Sequence, residues 1–156
     1  MAIFLPTLKQ HEGLSLKAYQ DVARVWTICY GHAYVDPKLT MTQKQCDKLA
    51  ESDGLKFMLP VLAAIKVPVS PTTLAAHTHF AVNIGIAGYR RSTALKLTNQ
   101  KDYFGGCNAF MNWDGLTLKG KKYDCGDPQP KWVMDGGCRG LLARRVDEVA
   151  QCLSGI

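Results

Sequence analysis

Apolar residues recur along this chain at changing intervals, and each change marks an element. In the opening stretch Ile3, Leu5, Leu8 and Glu12 fall at roughly helical spacing, with Gly13 placed to end the turn. This predicts a short helix over Ile3–Leu14. From Lys17 to Val35 strand formers take over: Tyr19, Val22, Val25, Trp26, Ile28, Tyr30 and Tyr34, broken by polar residues and by Gly31. A small antiparallel hairpin or three-stranded sheet is the expectation there. Thr40 or Thr42 can cap the next helix, with Gln43 or Gln45 three residues on to bond back. Cys46, Leu49, Ala50, Leu55, Met58, Leu59 and Leu62 then recur at threes and fours. The pattern fits one long helix, or two joined near Gly54, with Pro60 as a kink or a restart.

Ser70-Pro71 starts another helix through Leu74, Ala75, Phe80 and Val82, with Gly85 and Gly88 to stop it. Ser92 caps a short helix to Leu97, and Asp102 opens one through Trp113. Asp114–Gly137 is crowded with Gly115, Gly120, Gly126, Pro128, Pro130, Gly136 and Gly137, which predicts a long surface loop. A final helix runs from about Gly140 to Leu153. Its expected inward side is Leu141, Val146, Val149 and Leu153, with Arg144, Arg145, Asp147 and Glu148 largely outward. The fold class is α+β: mostly helical, with a small antiparallel sheet near the N-terminus at about 15–35.

Composition narrows this little. A length of 156 residues suits one domain, and 47% hydrophobic with 21% charged residues argues against wholesale disorder. The longest apolar run, Met58–Ile65, contains Pro60 and is far short of the roughly 20 residues that cross a bilayer. The start lacks the basic, apolar and small-residue order of a secretory signal. The net charge of +6 is diffuse: eight Lys/Arg against six Asp/Glu in Met1–Thr78, eleven against seven in His79–Ile156. Such a surface favours anionic partners. Arg90-Arg91, and Lys119, Lys121 and Lys122 with Tyr123 and Trp132 nearby, could serve a non-enzymatic basic binding module for nucleic acid or wall polymer. As ordinary solvated faces they would do nothing of the kind. The six cysteines include no C-x-x-C pair, and His77 and His79, two apart, would point to different faces of a helix, so a metal centre is not indicated. The cysteines fit either small core residues or disulfides, and six allow fifteen connectivities.

The residues most suited to chemistry are Glu12, Asp21 and Thr27. Glu12 closes the first helix, while Asp21 and Thr27 flank the first turn of the hairpin. Folding the hairpin back on the helix end would set two carboxyl groups across a groove, with a hydroxyl beside the second. Hydrolysis of a glycosidic bond uses such a pair: one carboxyl keeps its proton for the leaving oxygen, and the other stays ionised to act on water.

The words around them carry a family resemblance. His11-Glu12-Gly13, Ala18-Tyr19-Gln20-Asp21 and Trp26-Thr27-Ile28-Cys29-Tyr30-Gly31-His32 together resemble the catalytic segment of the T-even-type phage lysozymes, the endolysins of glycoside hydrolase family 24. Phe80–Gly85 with Ala87–Thr93 is similar to that family's central helix and following turn, and Gly140–Arg145 with Glu148 to its closing helix. The resemblance implies a single lysozyme-like catalytic domain over 1–156, with an active cleft between the small β lobe and the helical remainder. It also implies a muramidase that cuts the β-1,4 bond between N-acetylmuramic acid and N-acetylglucosamine in peptidoglycan and lyses the host cell. By position Glu12 matches the general acid, Asp21 the carboxylate that positions water, and Thr27 a hydroxyl that helps hold it. Inversion at the anomeric carbon is implied as well. Ser92 aligns with a cleft-lining serine as a substrate contact, and His32 with a structural histidine. Relatives pair the acid with an arginine, for which Arg144 and Arg145 are the candidates. No metal or organic cofactor is implied, and the expected partner is the peptidoglycan glycan strand, with no nucleic acid, for a monomer.

The sequence also departs from the family. Cys29 stands where many relatives have glycine, and in this it looks like the membrane-tethered subgroup, whose members begin with a signal-anchor-release helix. That helix has no counterpart here. The expectation is synthesis in the host cytoplasm and action on periplasmic cell-wall peptidoglycan, by a shortened chain or by another route out. Ala23-Arg24 replaces a usual glycine, and the 114–137 segment is longer than the simple family pattern. The expected cysteine pairs are Cys125 with Cys138 and Cys107 with Cys152, leaving Cys29 and Cys46 as a third. A competing reading makes Cys29 the nucleophile of a peptidoglycan amidase or peptidase, with His32 or His11 as base.

Overall fold

The computed structural model describes residues 13–21 and 24–156. The helix expected over Ile3–Leu14, with Glu12 and His11, lies outside the described residues up to Gly13. The chain divides into two compact units, Met1–Pro60 and Val61–Ile156.

The described part of the first unit is a three-stranded antiparallel sheet followed by a helix. Strands β1 (Ser15–Gln20), β2 (Trp26–Cys29) and β3 (His32–Ala33) lie in the order β1-β2-β3, as the run of strand formers predicts. Tyr19 pairs with Thr27, Gln20 with Trp26 and Thr27 with Ala33, with a register shift between Ser15 and Tyr19. Thr42 starts helix α1 (Gln43–Ala64): its Oγ1 accepts from Gln45 N–H, while Gln45 Oε1 accepts from Thr42 N–H. This is the reciprocal cap read from the sequence. The helix continues unbroken through Gly54 and Pro60, so the one-helix option holds. A disulfide joins Cys29 to Cys46, packed with Ile28, Leu49, Val35, Leu39 and Met41. Cys29 has φ 60°, a backbone that favours glycine. Here the bond to Cys46 holds the position.

The second unit is mostly helical, with its larger apolar core among the helices. Ser70 caps α2 (Pro71–Ile84), which Gly85 ends at φ 77°. Gly88, expected as a stop, instead lies inside α3 (Ile86–Arg90), where Trp113 comes within 3.2 Å of where a Cβ would stand. Ser92 caps α4 (Thr93–Asn99) and Asp102 caps α5 (Tyr103–Asn108), which tightens into a 3-10 turn over Ala109–Asn112. Phe80 and Phe110 stack at 4.4 Å, ringed by Val61, Ala76, Tyr89, Leu95 and the Cys107–Cys152 disulfide.

Two expectations fail here. The 114–137 segment is not a loop throughout. It holds a hairpin, β4 (Gly115–Leu118) and β5 (Lys121–Asp124), then a short helix α6 (Lys131–Val133) and a wide turn over Met134–Cys138. Leu116, Leu118 and Tyr123 give the hairpin an apolar side that packs on Val133, and a Cys125–Cys138 disulfide closes the segment. The last helix, α7 (Arg139–Leu153), presents a different stripe from the one expected. Arg145 and Glu148 are buried and Val146 is exposed, because Leu141, Arg145, Glu148 and Cys152 form the inward row at alternating fours and threes. Among the described residues no helix is long and apolar enough to cross a membrane.

Candidate active site

In the first unit the site is built on the turn between β1 and β2. Asp21 N–H donates to the Val25 carbonyl at 3.0 Å, extending the ladder one pair beyond Gln20 and Trp26. The chain reverses with Arg24 at φ 60°, where its N–H donates to the Asp21 carbonyl at 2.9 Å. Arg24 thus adopts a left-handed conformation that favours glycine. Asp21 Oδ1 accepts from Val25 N–H at 2.9 Å, and Thr27 Oγ1 donates to the Val25 carbonyl at 3.1 Å. Both candidate side chains thus bond to the backbone of one residue.

Strand alternation puts Tyr19, Asp21, Val25 and Thr27 on one face. Asp21 and Thr27 are diagonal neighbours across the pair, a relation that spans roughly 7 Å in an ordinary antiparallel ladder. Asp21 is half-buried and Thr27 is 3% exposed. The structure thus brings together two of the three residues assigned to catalysis; Glu12 lies outside the described residues. His32 sits in the same unit as a structural group: Nδ1 is 2.6 Å from Asp53 Oδ2, and Lys56 reaches the other carboxylate oxygen at 2.8 Å.

In the second unit a cavity of about 350 Å³ is lined by Asn83, Ile84, Asn112, Trp113, Leu141 and Arg145, with Gly115 at its edge. Its floor is a buried polar knot. Arg145 Nε donates to the Trp113 carbonyl at 3.0 Å, Nη1 to Glu148 Oε2 at 2.5 Å, and Nη2 to Asn83 Oδ1. The guanidinium also lies 5.1 Å from the centre of the Phe80 ring. Burial raises the Glu148 carboxyl above the ordinary carboxylate value, against the pull of Arg145, and Oε1 has no hydrogen-bond partner among the described residues. Arg145 holds Asn83 by its oxygen, and Asn83 lines a cavity that Trp113 lines too. Sequence reasoning missed Asn83 and Trp113 as cavity residues. The readable signal was the Arg145–Glu148 spacing of three on the row of Leu141 and Cys152.

Ser92 is 3% exposed, and its hydroxyl donates to the Tyr89 carbonyl at 2.7 Å and accepts from Leu95 N–H at 3.2 Å. It serves as the cap of α4. His77 and His79 have separate partners: Tyr89 and Thr98 for the first, Gln151 for the second. Burial lowers the His77 pKa to about 4, so the ring is neutral at neutral pH, and it raises the Tyr89 phenol. The competing reading with a nucleophilic Cys29 is overturned, since that sulfur is bonded to Cys46 and carries no thiol. All three expected cysteine pairs are present.

Comparison with known proteins comes out in one direction. The phage lysozyme family model matches residues 9–126. A SAR-endolysin of Pseudomonas phage phiKMV is 36% identical over 154 residues, covering 98% of this chain and 88% of that protein. Among solved structures, the endolysin of Escherichia coli O157:H7 phage FAHEc1 superposes with a TM-score of 0.83 at 31% identity, over 100% of this chain and 94% of that one. The muramidase domain of SpmX from Asticaccaulis excentricus superposes with a TM-score of 0.80 at 25% identity, over 96% and 93%. These structures share the α+β, mostly helical arrangement with a small antiparallel sheet near the N-terminus.

Proposed function

The chain belongs to the phage lysozyme family, and on that premise we propose how its residues cut peptidoglycan. It is a muramidase-type endolysin, a glycoside hydrolase acting on the bacterial cell wall. In the proposed reaction the bond broken is the β-1,4 link between N-acetylmuramic acid and N-acetylglucosamine. Glu12, protonated, donates to the leaving glycosidic oxygen as the bond to the anomeric carbon lengthens. Asp21, ionised, takes a proton from the water that attacks the opposite face, and the product inverts. One proton enters the leaving sugar, one leaves the water, and the two carboxyl groups exchange protonation states before the next turnover.

The observation that carries the reading is the shared anchorage of Asp21 and Thr27 on Val25. Thr27 gives its hydrogen to the Val25 carbonyl, so its oxygen has only lone pairs to offer. A water beside it would then donate one O–H to Thr27 and the other to Asp21, which turns the water's own lone pair toward the sugar. Both acceptors are bonded to the Val25 backbone immediately ahead of β2, so their separation is set before substrate arrives. Ser92 is proposed to act at one remove, by fixing the start of α4, since its hydroxyl is engaged by the backbone.

Product analysis tests the bond and the stereochemistry together. Digestion of purified peptidoglycan, followed by borohydride reduction, should convert muramic acid at the new reducing ends to its alcohol. Proton NMR during the first turnovers should show the α-anomer first. Glucosaminitol in place of muramitol, or the β-anomer first, would contradict the proposal.

A further inference from the structure

The hydrolytic reading leaves the lysines and aromatic rings of the β4–β5 hairpin without a task, and they form a built surface. Lys119 and Gly120 have φ values of 49° and 78°, the left-handed pair of a two-residue hairpin turn, with Leu118 paired to Lys121 on either side. Lys119 is thereby held at the tip. Lys119 Nζ lies 5.9 Å from the centre of the Trp132 ring, Lys121 Nζ lies 5.2 Å from that of Tyr123, and the two rings meet edge to face at 5.7 Å. Trp132 is 53% exposed, Lys131 is exposed next to it in sequence, and Lys122 is exposed on the other side of the hairpin from Lys121 and Tyr123. Packing of Tyr123, Leu116 and Leu118 on Val133 and the Cys125–Cys138 disulfide keep this group on a fixed base. Acidic groups lie at the other end of the hairpin or are paired: Asp124 opposes Gly115 and accepts from Gly126 N–H, and Asp135 pairs with Arg139 at 2.9 Å.

We propose that this tip docks the protein on an anionic lipid bilayer, with the lysines on headgroup phosphates and Trp132 in the interfacial layer. Charge complementarity selects the partner, and the exposed indole selects the kind of surface. Long lysine stems reach phosphate while an amphipathic ring sits at headgroup depth. A single-stranded nucleic acid would need open ring faces for its bases. Here an ammonium covers a face of each ring, and Trp132 meets Tyr123 edge to face. The proposal does not depend on which residues perform hydrolysis.

Co-sedimentation of the whole chain with vesicles tests it. Binding should rise with the phosphatidylglycerol content of phosphatidylcholine vesicles, fall with salt, and shift the tryptophan emission to the blue. Each lysine near such a surface is worth about fivefold in partitioning, so the Lys119→Gln/Lys121→Gln/Lys122→Gln variant should bind about a hundredfold more weakly. The matching triple arginine variant should retain binding, and Trp132→Phe should lose the emission shift. The urea midpoint serves as the folding control; should the glutamine variant unfold, the arginine and Trp132→Phe variants still decide. The proposal is overturned by any one of four results: wild-type binding in a folded glutamine variant, equal binding to pure phosphatidylcholine, loss of binding in the arginine variant, or a blue shift that survives Trp132→Phe. Tighter binding of a single-stranded DNA oligonucleotide than of the anionic vesicles would also overturn it, in favour of a nucleic-acid surface.

Discussion

Asp21 and Thr27 are held by a residue four and two positions away, whereas Arg145 is held by groups 3, 32 and 62 positions away. In the sheet region a half-buried carboxylate is aimed by one turn of backbone. In the helical region a fully buried guanidinium is gripped by side chains and a carbonyl from three elements. The first arrangement sets the direction of a half-buried carboxylate. The second removes charge from water and ties the last helix to the core. If the proposed mechanism holds, positioning for chemistry and fastening of the fold use hydrogen bonds of different reach in one chain.

Breaking the fastening should have the largest effect on stability. Arg145→Met leaves the Glu148 carboxylate, the Asn83 amide oxygen and the Trp113 carbonyl without their donor, and removal of one partner of a buried pair costs about 3–5 kcal/mol. The urea midpoint should fall to match, and Arg145→Met/Glu148→Leu should recover part of the loss. A single variant with an unchanged midpoint would remove Arg145 from this role.

The buried histidine gives the next effect, through pH. The His77 pKa is about 4 in the folded chain against an ordinary 6.5, so the unfolded chain takes up the proton first. Its contribution is therefore intact above pH 6.5, is lost as pH falls toward 4, and amounts to about 3 kcal/mol in all. Glu148 works with the opposite sign: its raised pKa favours the folded state at low pH and that contribution fades as pH rises. Urea titrations of the wild type and His77→Gln at both ends of the window separate the two. The acid loss should shrink in the variant; an equal loss would assign it to other groups.

Loosening the sheet region should matter far less to stability. Thr27→Val removes one hydrogen bond to Val25 and should cost about 1 kcal/mol, with reducing-end release lowered by a larger proportion than the folded fraction. If activity follows the folded fraction alone, Thr27 serves only the strand.

The same contrast explains what could be read from the sequence. The caps at Thr42, Ser70, Ser92 and Asp102, the stop at Gly85 and the strand run near the N-terminus are local, and each was legible from neighbouring residues. So was the nearness of Asp21 and Thr27, because both lie close to one strand reversal. Arg145 and Glu148 looked like an outward face because charges on a helix are ordinarily solvated. Their burial depends on Asn83 and Trp113, which no local pattern connects to them. The β4–β5 hairpin was hidden by the surrounding glycines and prolines; its alternation is only Leu116 and Leu118 against Tyr123.

The most direct measurement is reducing-end release from purified peptidoglycan by Asp21→Asn. Asparagine keeps the oxygen that accepts from Val25 N–H but cannot take a proton from water, so the fold and the turn should survive with an unchanged urea midpoint. The rate should fall by about 10²–10⁴-fold. A folded Asp21→Asn protein that releases reducing ends at the wild-type rate would contradict the account.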